Sequence, residues 1–162
     1  MSDFDLVEYQ TRLSLAQKAM SENKLDALVF CTEAEIRYFS GFRTLFWQSP
    51  TRPWFLVVPA SGLPIAVIPS IGAELMSRSI VEDIRTWSAP DYADDGISLL
   101  TDTLREVAGK GRIGTPHGIE SHLRMPLGDW KRLNAEIKIG SDMQVMRAAR
   151  MVPQHGSKAQ VL

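Results

Sequence analysis

The sequence predicts an α/β fold, a mixed sheet of about six strands flanked by helices on both faces. Three observations carry that expectation. Apolar runs of strand length alternate with segments of helical periodicity along nearly the whole chain. Two of the runs, WFLVV and PIAVIP, are joined by a short glycine-containing connection, which implies an antiparallel hairpin. The earliest run, ALVFC, is apolar without interruption, as in a strand covered on both faces. At 162 residues the chain fits one domain and is long enough to bury a substantial core.

The elements follow in order. Residues 8–23 form an amphipathic helix, with Tyr9, Leu13, Ala16 and Met20 on one face and Glu8 four residues before Arg12. Asp26 opens the ALVFC strand. TEAE then offers a capping box, with Thr32 as N-cap and Glu35 three positions later, for a short helix that Gly41 ends. The hairpin strands come next. Residues 71–78 read as helix with Leu75 and Met76 inward, and DIRTW at 83–87 as strand. DYADDG is the acidic entry to a helix running to about Ala108, whose Ile97, Leu100, Leu104 and Val107 share a face. Carboxylates stabilise a helix N-terminus, which favours a solvated cap over a metal site there. RIGT and EIKIG supply two more strands around a short helix in MPLGDWKRL, and residues 143–151 a last helical stretch. No internal repeat, low-complexity segment or domain boundary precedes about residue 151.

Composition excludes several classes of function. A net charge of −1 with scattered basic residues gives no electrostatic case for nucleic acid or an anionic membrane. The single Cys31 cannot form an internal disulfide, which suits a reducing compartment. The acidic start, MSDFDLVEYQ, has no apolar signal core, and no apolar run has the length of a membrane span. A soluble cytoplasmic domain is the expectation.

Motifs that suggest chemistry have simpler readings. GKGRIG matches G-x-G-x-x-G at Gly109, Gly111 and Gly114, but a dinucleotide site needs those glycines after a strand and before a helix. Here they follow a helix and lead into a strand, as a C-cap and turn. In HGIESH, His117 and His122 are five apart and share no helical face, so with Glu120 they read as polar loop residues. His155 stands alone in a polar tail. Cys31 ends a buried strand, with no base or orienting group nearby in sequence, and reads as a core residue. No G-x-S-x-G elbow or Walker-type loop is present. The residues alone supply no complete catalytic constellation and no metal-ligand set.

One segment is harder to place. FRTLFWQSPTRPWFLVVP, residues 42–59, ends as a strand but begins too broken by proline for a helix and too irregular for a strand. Phe46, Trp47 and Arg52 there either pad a loop against the core or face a ligand.

The ordered wording of these elements resembles the N-terminal domain of the creatinase/prolidase/aminopeptidase P family. The resemblance rests on Arg12 and Leu13 in the first helix, on LDALV at 25–29, and on the helix and turn IRYFSGF at 36–42. The hairpin PWFLVVPASGLPIAVIP, the strand VEDIRTW at 81–87, RIGT and the closing IGSDMQVMRAARMV extend it over about residues 8–152. It implies a non-catalytic α/β domain at 1–152, followed in family members by a pita-bread catalytic domain that, in the peptidases, binds two divalent metals (Mn, Co or Zn). None of those ligand motifs can be placed in this chain, so no cofactor is expected in it. Residues 153–162, PQHGSKAQVL, depart from the family's K-S-x-x-E-I continuation, with Pro153 interrupting the expected helix; they read as a tail or truncated linker. The resemblance further implies a homodimer and a loop before the hairpin whose aromatic and arginine side chains reach an active site, often the partner subunit's. By position Trp47 and Arg52 are the candidates. The function it implies is a domain that assists dimerisation and substrate gating in a hydrolase similar to Xaa-Pro peptidases, with a creatinase-like amidinohydrolase or other C–N hydrolase as the alternative parent. A free-standing α/β ligand-binding or scaffold domain is the rival from another class.

Overall fold

A computed structural model describes residues 4–49, 52–118, 121–141 and 145. Six strands form one sheet in the order β4-β3-β2-β1-β5-β6, where β1 is Ala27–Phe30, β2 Phe55–Pro59, β3 Ile65–Pro69, β4 Asp83–Trp87, β5 Ile113–Thr115 and β6 Ile139–Ser141. β2 runs antiparallel to both neighbours, while β1, β3, β4, β5 and β6 share one direction. The carboxyl ends of five strands, and the start of β2, therefore lie along one edge of the sheet.

Period-two alternation sends each central strand's side chains to two separate cores. Leu28, Phe30, Leu56, Val58, Ala66 and Ile68 face α1 (Leu6–Glu22), α2 (Glu33–Ser40) and α3 (Ala73–Met76). Ala27, Val29, Phe55, Val57, Ile65 and Val67 face α4 (Ile97–Ala108) and α5 (Leu127–Glu136). The sheet is thus mixed and covered by helices on both sides, as the alternation of elements predicts. On the first face Arg12 is buried: its guanidinium bonds the Glu8 carboxylate at 3.1 Å and the Tyr38 carbonyl at 2.9 Å, and lies 4.3 Å from the Phe4 ring centre. Arg12 and Glu8 are both enclosed and pair within α1, and the Arg12 bond to the Tyr38 carbonyl ties that helix to α2.

Several expectations need adjustment. α1 starts two residues early, because the Asp5 side chain accepts the Glu8 N–H as N-cap. Thr32 occupies the N-cap position of α2, but its hydroxyl makes no cap bond, so the capping box at Thr32 and Glu35 does not form as expected. Leu75 is 39 % exposed rather than inward. The helix there is only Ala73–Met76 after a 3₁₀ turn at Ser70–Gly72, too short to present two adjacent residues to one core; Met76 alone is buried. Val107 is half-buried at the margin of the α4 face formed by Ile97, Leu100 and Leu104. The glycines of GKGRIG close α4 and turn into β5, with Gly109 at φ +56°, a geometry opposite to a dinucleotide loop. Glu120, His155, the tail 153–162 and all of the stretch 143–151 except Val145 lie outside the described residues; Val145 is buried against the α1/α2 core.

Candidate functional site

In open α/β sheets, ligands sit beyond the carboxyl ends of the strands, where connections from adjacent strands leave in opposite directions. In this sheet that point lies between β1 and β5. β1 leads through α2 toward β2 on one side, and β5 leads through α5 to β6 on the other. A cleft of about 570 Å³ opens there, lined by Thr32, Glu33, Ala34, Arg37, Trp47, His122 and Arg124.

Local chemistry fixes each wall. Gly41, at φ +72°, ends α2 in the left-handed conformation that a side chain would resist, and turns the chain outward. The Thr44 hydroxyl accepts the Phe46 N–H at 3.1 Å and starts a 3₁₀ turn at Leu45–Gln48, which presents Trp47. Beneath it, Phe42 and Trp54 are buried and pack on Trp47 with ring centres 6.3 and 5.8 Å away. Trp47 is half-buried, and its Nε1 finds no acceptor among the described residues.

Arg124 arrives from the connection after β5. Its guanidinium donates to the carbonyls of Arg52 at 2.6 Å and Trp47 at 3.3 Å, and also to that of Ser49. The same group lies 5.2 Å from the Trp47 ring centre. Only arginine has a planar fork able to serve several carbonyls while stacking on an indole. Burial lowers the Arg124 pKa, opposed by the nearby Cys31 and Glu33. Its backbone N–H reaches the Cys31 sulfur at 3.2 Å. Burial pushes the Cys31 thiol up to about 11, against the pull of that N–H, so near neutral pH it stays protonated. That state agrees with a core role for Cys31 and disfavours a nucleophile.

The two residues singled out in the sequence face different depressions. Trp47 lines the cleft just described. Arg52 borders a second depression of about 440 Å³ with Pro90, Asp91, Tyr92, Ala93, Asp95, Pro126 and Asp129. Its own carbonyl is held by Arg124. His122 reaches the Trp47 cleft, whereas the His117 ring bonds the Thr115 carbonyl at 2.9 Å. Asp91 and Asp94 serve as local caps: the Asp91 carboxylate accepts the Ala93 N–H at 2.9 Å and the Asp94 carboxylate the Ser98 N–H at 3.0 Å, as the acidic entry to α4 predicts. Sequence reasoning missed Arg124, Arg37 and Thr32 as cleft residues. Arg124 lies 72 to 77 positions from the carbonyls it holds, and no local pattern signals such a pairing. Among the described residues, no group of three or more His, Cys, Asp or Glu is placed to hold a metal ion.

A family model described as the creatinase/prolidase N-terminal domain matches residues 12–152. Among solved structures, a dipeptidase PepE from Mycobacterium ulcerans superposes with a TM-score of 0.70 at 26 % identity, over 92 % of this chain and 38 % of that one. A recombinant prolidase from Thermococcus sibiricus gives 0.66 at 16 % identity, over 86 % and 34 %. A proline dipeptidase from Streptococcus pneumoniae gives 0.65 at 16 % identity, over 94 % and 99 %. The last two likenesses establish the fold alone. No curated protein matches the sequence. This chain thus spans little more than a third of the two longer relatives. On the strength of the family match over most of its length, the chain belongs to the creatinase/prolidase N-terminal domain family.

Proposed function

We propose that this chain acts as the non-catalytic N-terminal domain of a cytoplasmic, metal-dependent hydrolase resembling Xaa-Pro peptidases, and that it contributes to homodimer formation and substrate gating. The observation that most supports the reading is the match to the dipeptidase at 26 % identity, of which this chain spans 38 %. The hydrolytic chemistry, with two divalent metals (Mn, Co or Zn), would reside in a separate pita-bread domain. The described residues offer no ligand set for such metals, so no bond-breaking step is assigned to them. No described helix is long and apolar enough to cross a membrane.

In this reading the loop holding Trp47 and Arg52 forms one wall of a neighbouring active site. Trp47 shields an apolar part of the substrate, and Arg52 pairs with a carboxylate through its planar fork. Kinetics of the two-domain protein test it. Arg52→Lys is expected to cost on the order of 1.5–3 kcal/mol in kcat/KM, the range for a hydrogen bond to a charged group, with stability nearly unchanged. Trp47→Ala is expected to affect substrates with a bulky apolar side most. Arg52→Lys kinetics equal to the parent across several substrates would reduce the loop to packing. A creatinase-like amidinohydrolase or other C–N hydrolase remains the alternative parent, distinguished by its substrate.

A second reading, a free-standing α/β ligand-binding domain, is favoured by the cleft itself, which is formed wholly within this chain. Sedimentation of the chain with and without a catalytic domain separates the two readings. A complex supports the first, and a monomer that ignores that domain supports the second.

A further inference from the structure

Trp47 and Arg52, the two side chains to which the gating role gives the substrate, open onto different depressions, yet one guanidinium bonds the backbone of both. Nη1 of Arg124 donates to the Arg52 carbonyl at 2.6 Å, while Nη2 donates to the Trp47 carbonyl at 3.3 Å and to that of Ser49. The nitrogens of a planar guanidinium cannot move relative to one another, so the group fixes the separation of the carbonyls it holds. Its position 5.2 Å from the Trp47 ring centre orients the indole as well as its backbone. Arg124 is itself grounded on the sheet: its N–H meets the sulfur of Cys31, buried directly after β1, at 3.2 Å. Between α2 and β2 the one regular turn among the described residues is Leu45–Gln48, so no helix or strand places Arg52 relative to Trp47.

We propose that Arg124 is a positioning residue of the gate: it acts through Trp47 and Arg52, setting the spacing from which they meet one substrate out of two depressions. The inference rests on the gating role proposed above and adds the group that builds the gate. Three carbonyls already share the donors of Arg124, which suits it to supporting the loop rather than to holding a substrate anion. Side chains carried on an irregular loop need such a support, because a small misplacement of a substrate contact is costly.

The test is steady-state kinetics of the two-domain protein carrying Arg124→Lys, alone and combined with Arg52→Lys or Trp47→Ala. Arg124→Lys is expected to raise KM roughly tenfold with kcat nearly unchanged, the pattern of lost uniform binding. A merely structural role would leave KM alone and lower the apparent kcat with the folded fraction. In the Arg124→Lys background, Arg52→Lys and Trp47→Ala should each lose most of their effect, because the placement they depend on is already gone. If Arg124→Lys fails to fold, Arg124→Gln takes its place with the same expectations. An unchanged KM, or full additivity with both variants, overturns the proposal and leaves the gating role intact. Arg52→Lys and Trp47→Ala that are silent in the parent background overturn the gating role and this inference with it. In the 162-residue chain by itself, Arg124→Lys should shift the NMR signals of the Trp47 indole and the Arg52 amide together. Movement of only one of them overturns the joint placement.

Discussion

The two ends of the sheet are built differently. At the amino end the connections are short: residues 23–26, 60–64, 77–82, 109–112 and 137–138. They are stitched by polar groups close to the backbone. The Asp26 N–H donates to the Arg112 carbonyl at 2.8 Å, and its carboxylate accepts the Arg112 N–H at 2.8 Å. The Gln17 amide donates to the carbonyls of Pro59 and Gly62 at 3.1 and 2.8 Å. At the carboxyl end, residues 41–54, 88–96 and 116–126 make long excursions, held by a few side chains, Arg124 foremost. The contrast teaches where change is tolerated. One end closes the fold, while the other carries exposed groups on a fixed floor, as loops that hold function on a rigid scaffold do.

That floor is the place to break the comparison with the largest effect. Trp54 is 1 % exposed, stacks under Phe46 with ring centres 6.0 Å apart and lies so close to Gly72 that a side chain there would strike its ring. Trp54→Ala is expected to cost about 3–5 kcal/mol in urea unfolding, the range for removing a large core aromatic. A cost of surface size would mean that the carboxyl end has no rigid floor. At the amino end, Gly111→Ala is the matching test. The added methyl would meet the Asp26 carboxylate, which can withdraw only by losing its bond from the Arg112 N–H, and come within 2.8 Å of the Ala108 carbonyl, which accepts the Gly111 N–H. A loss of about 1–3 kcal/mol is expected, with the overpacking range as guide. The same assay on the glycine variant checks it.

These two ends also differ in how far the sequence disclosed them. The strands were legible because Leu28, Val29 and Phe30, like the Phe55–Pro59 and Ile65–Pro69 runs, carry their burial in a local apolar pattern. The α4 face was legible for the same reason. Trp47 could be singled out because an indole in a proline-broken segment is conspicuous. Its relation to Arg124 could not, because that contact is made by one flexible side chain crossing more than seventy residues of sequence. Nor could the chain show that Arg52 borders a different depression from Trp47, since side-chain direction in an irregular loop follows no period. The Thr32 cap failed for a related reason. The TEAE pattern names residues able to cap a helix, and the surrounding packing decides whether they do.

Arg124→Lys sharpens the contrast with a smaller energy. Lysine keeps the charge but cannot serve the carbonyls of Trp47, Ser49 and Arg52 together or stack as a plane on the indole. We expect a loss of about 1 kcal/mol in global stability, near that of one net hydrogen bond, because the core beneath is untouched. The local effect should be clearer: faster exchange of the Trp47 indole proton, while the Arg112 amide at the opposite end stays protected. Equal changes at both ends would show that the guanidinium supports the whole fold rather than this loop.

The smallest effect concerns Cys31, beside the same arginine. Burial raises its pKa from 9.0 to about 11, with the Arg124 N–H acting the other way. A thiol raised in the folded state contributes stability that is fully present below the unfolded pKa and lost as pH rises through the folded one. Between pH 9 and 11 the unfolded chain ionises this group and the folded chain does not, so unfolding gains. The expected loss attributable to Cys31 is a few tenths of a kcal/mol near pH 9 and grows above it. Other groups titrate in this range, so the measurement is a difference. Urea midpoints of the parent and of Cys31→Ala are compared at neutral pH and again near pH 9.5. The parent should lose its advantage as pH rises, and its thiol should react slowly with iodoacetamide until the protein unfolds. A gap between the two proteins that does not change with pH, together with rapid alkylation of the folded chain, would place the Cys31 sulfur in contact with water. The carboxyl end would then be open down to the strand, and the fixed floor inferred from Trp54 would not extend beneath Arg124.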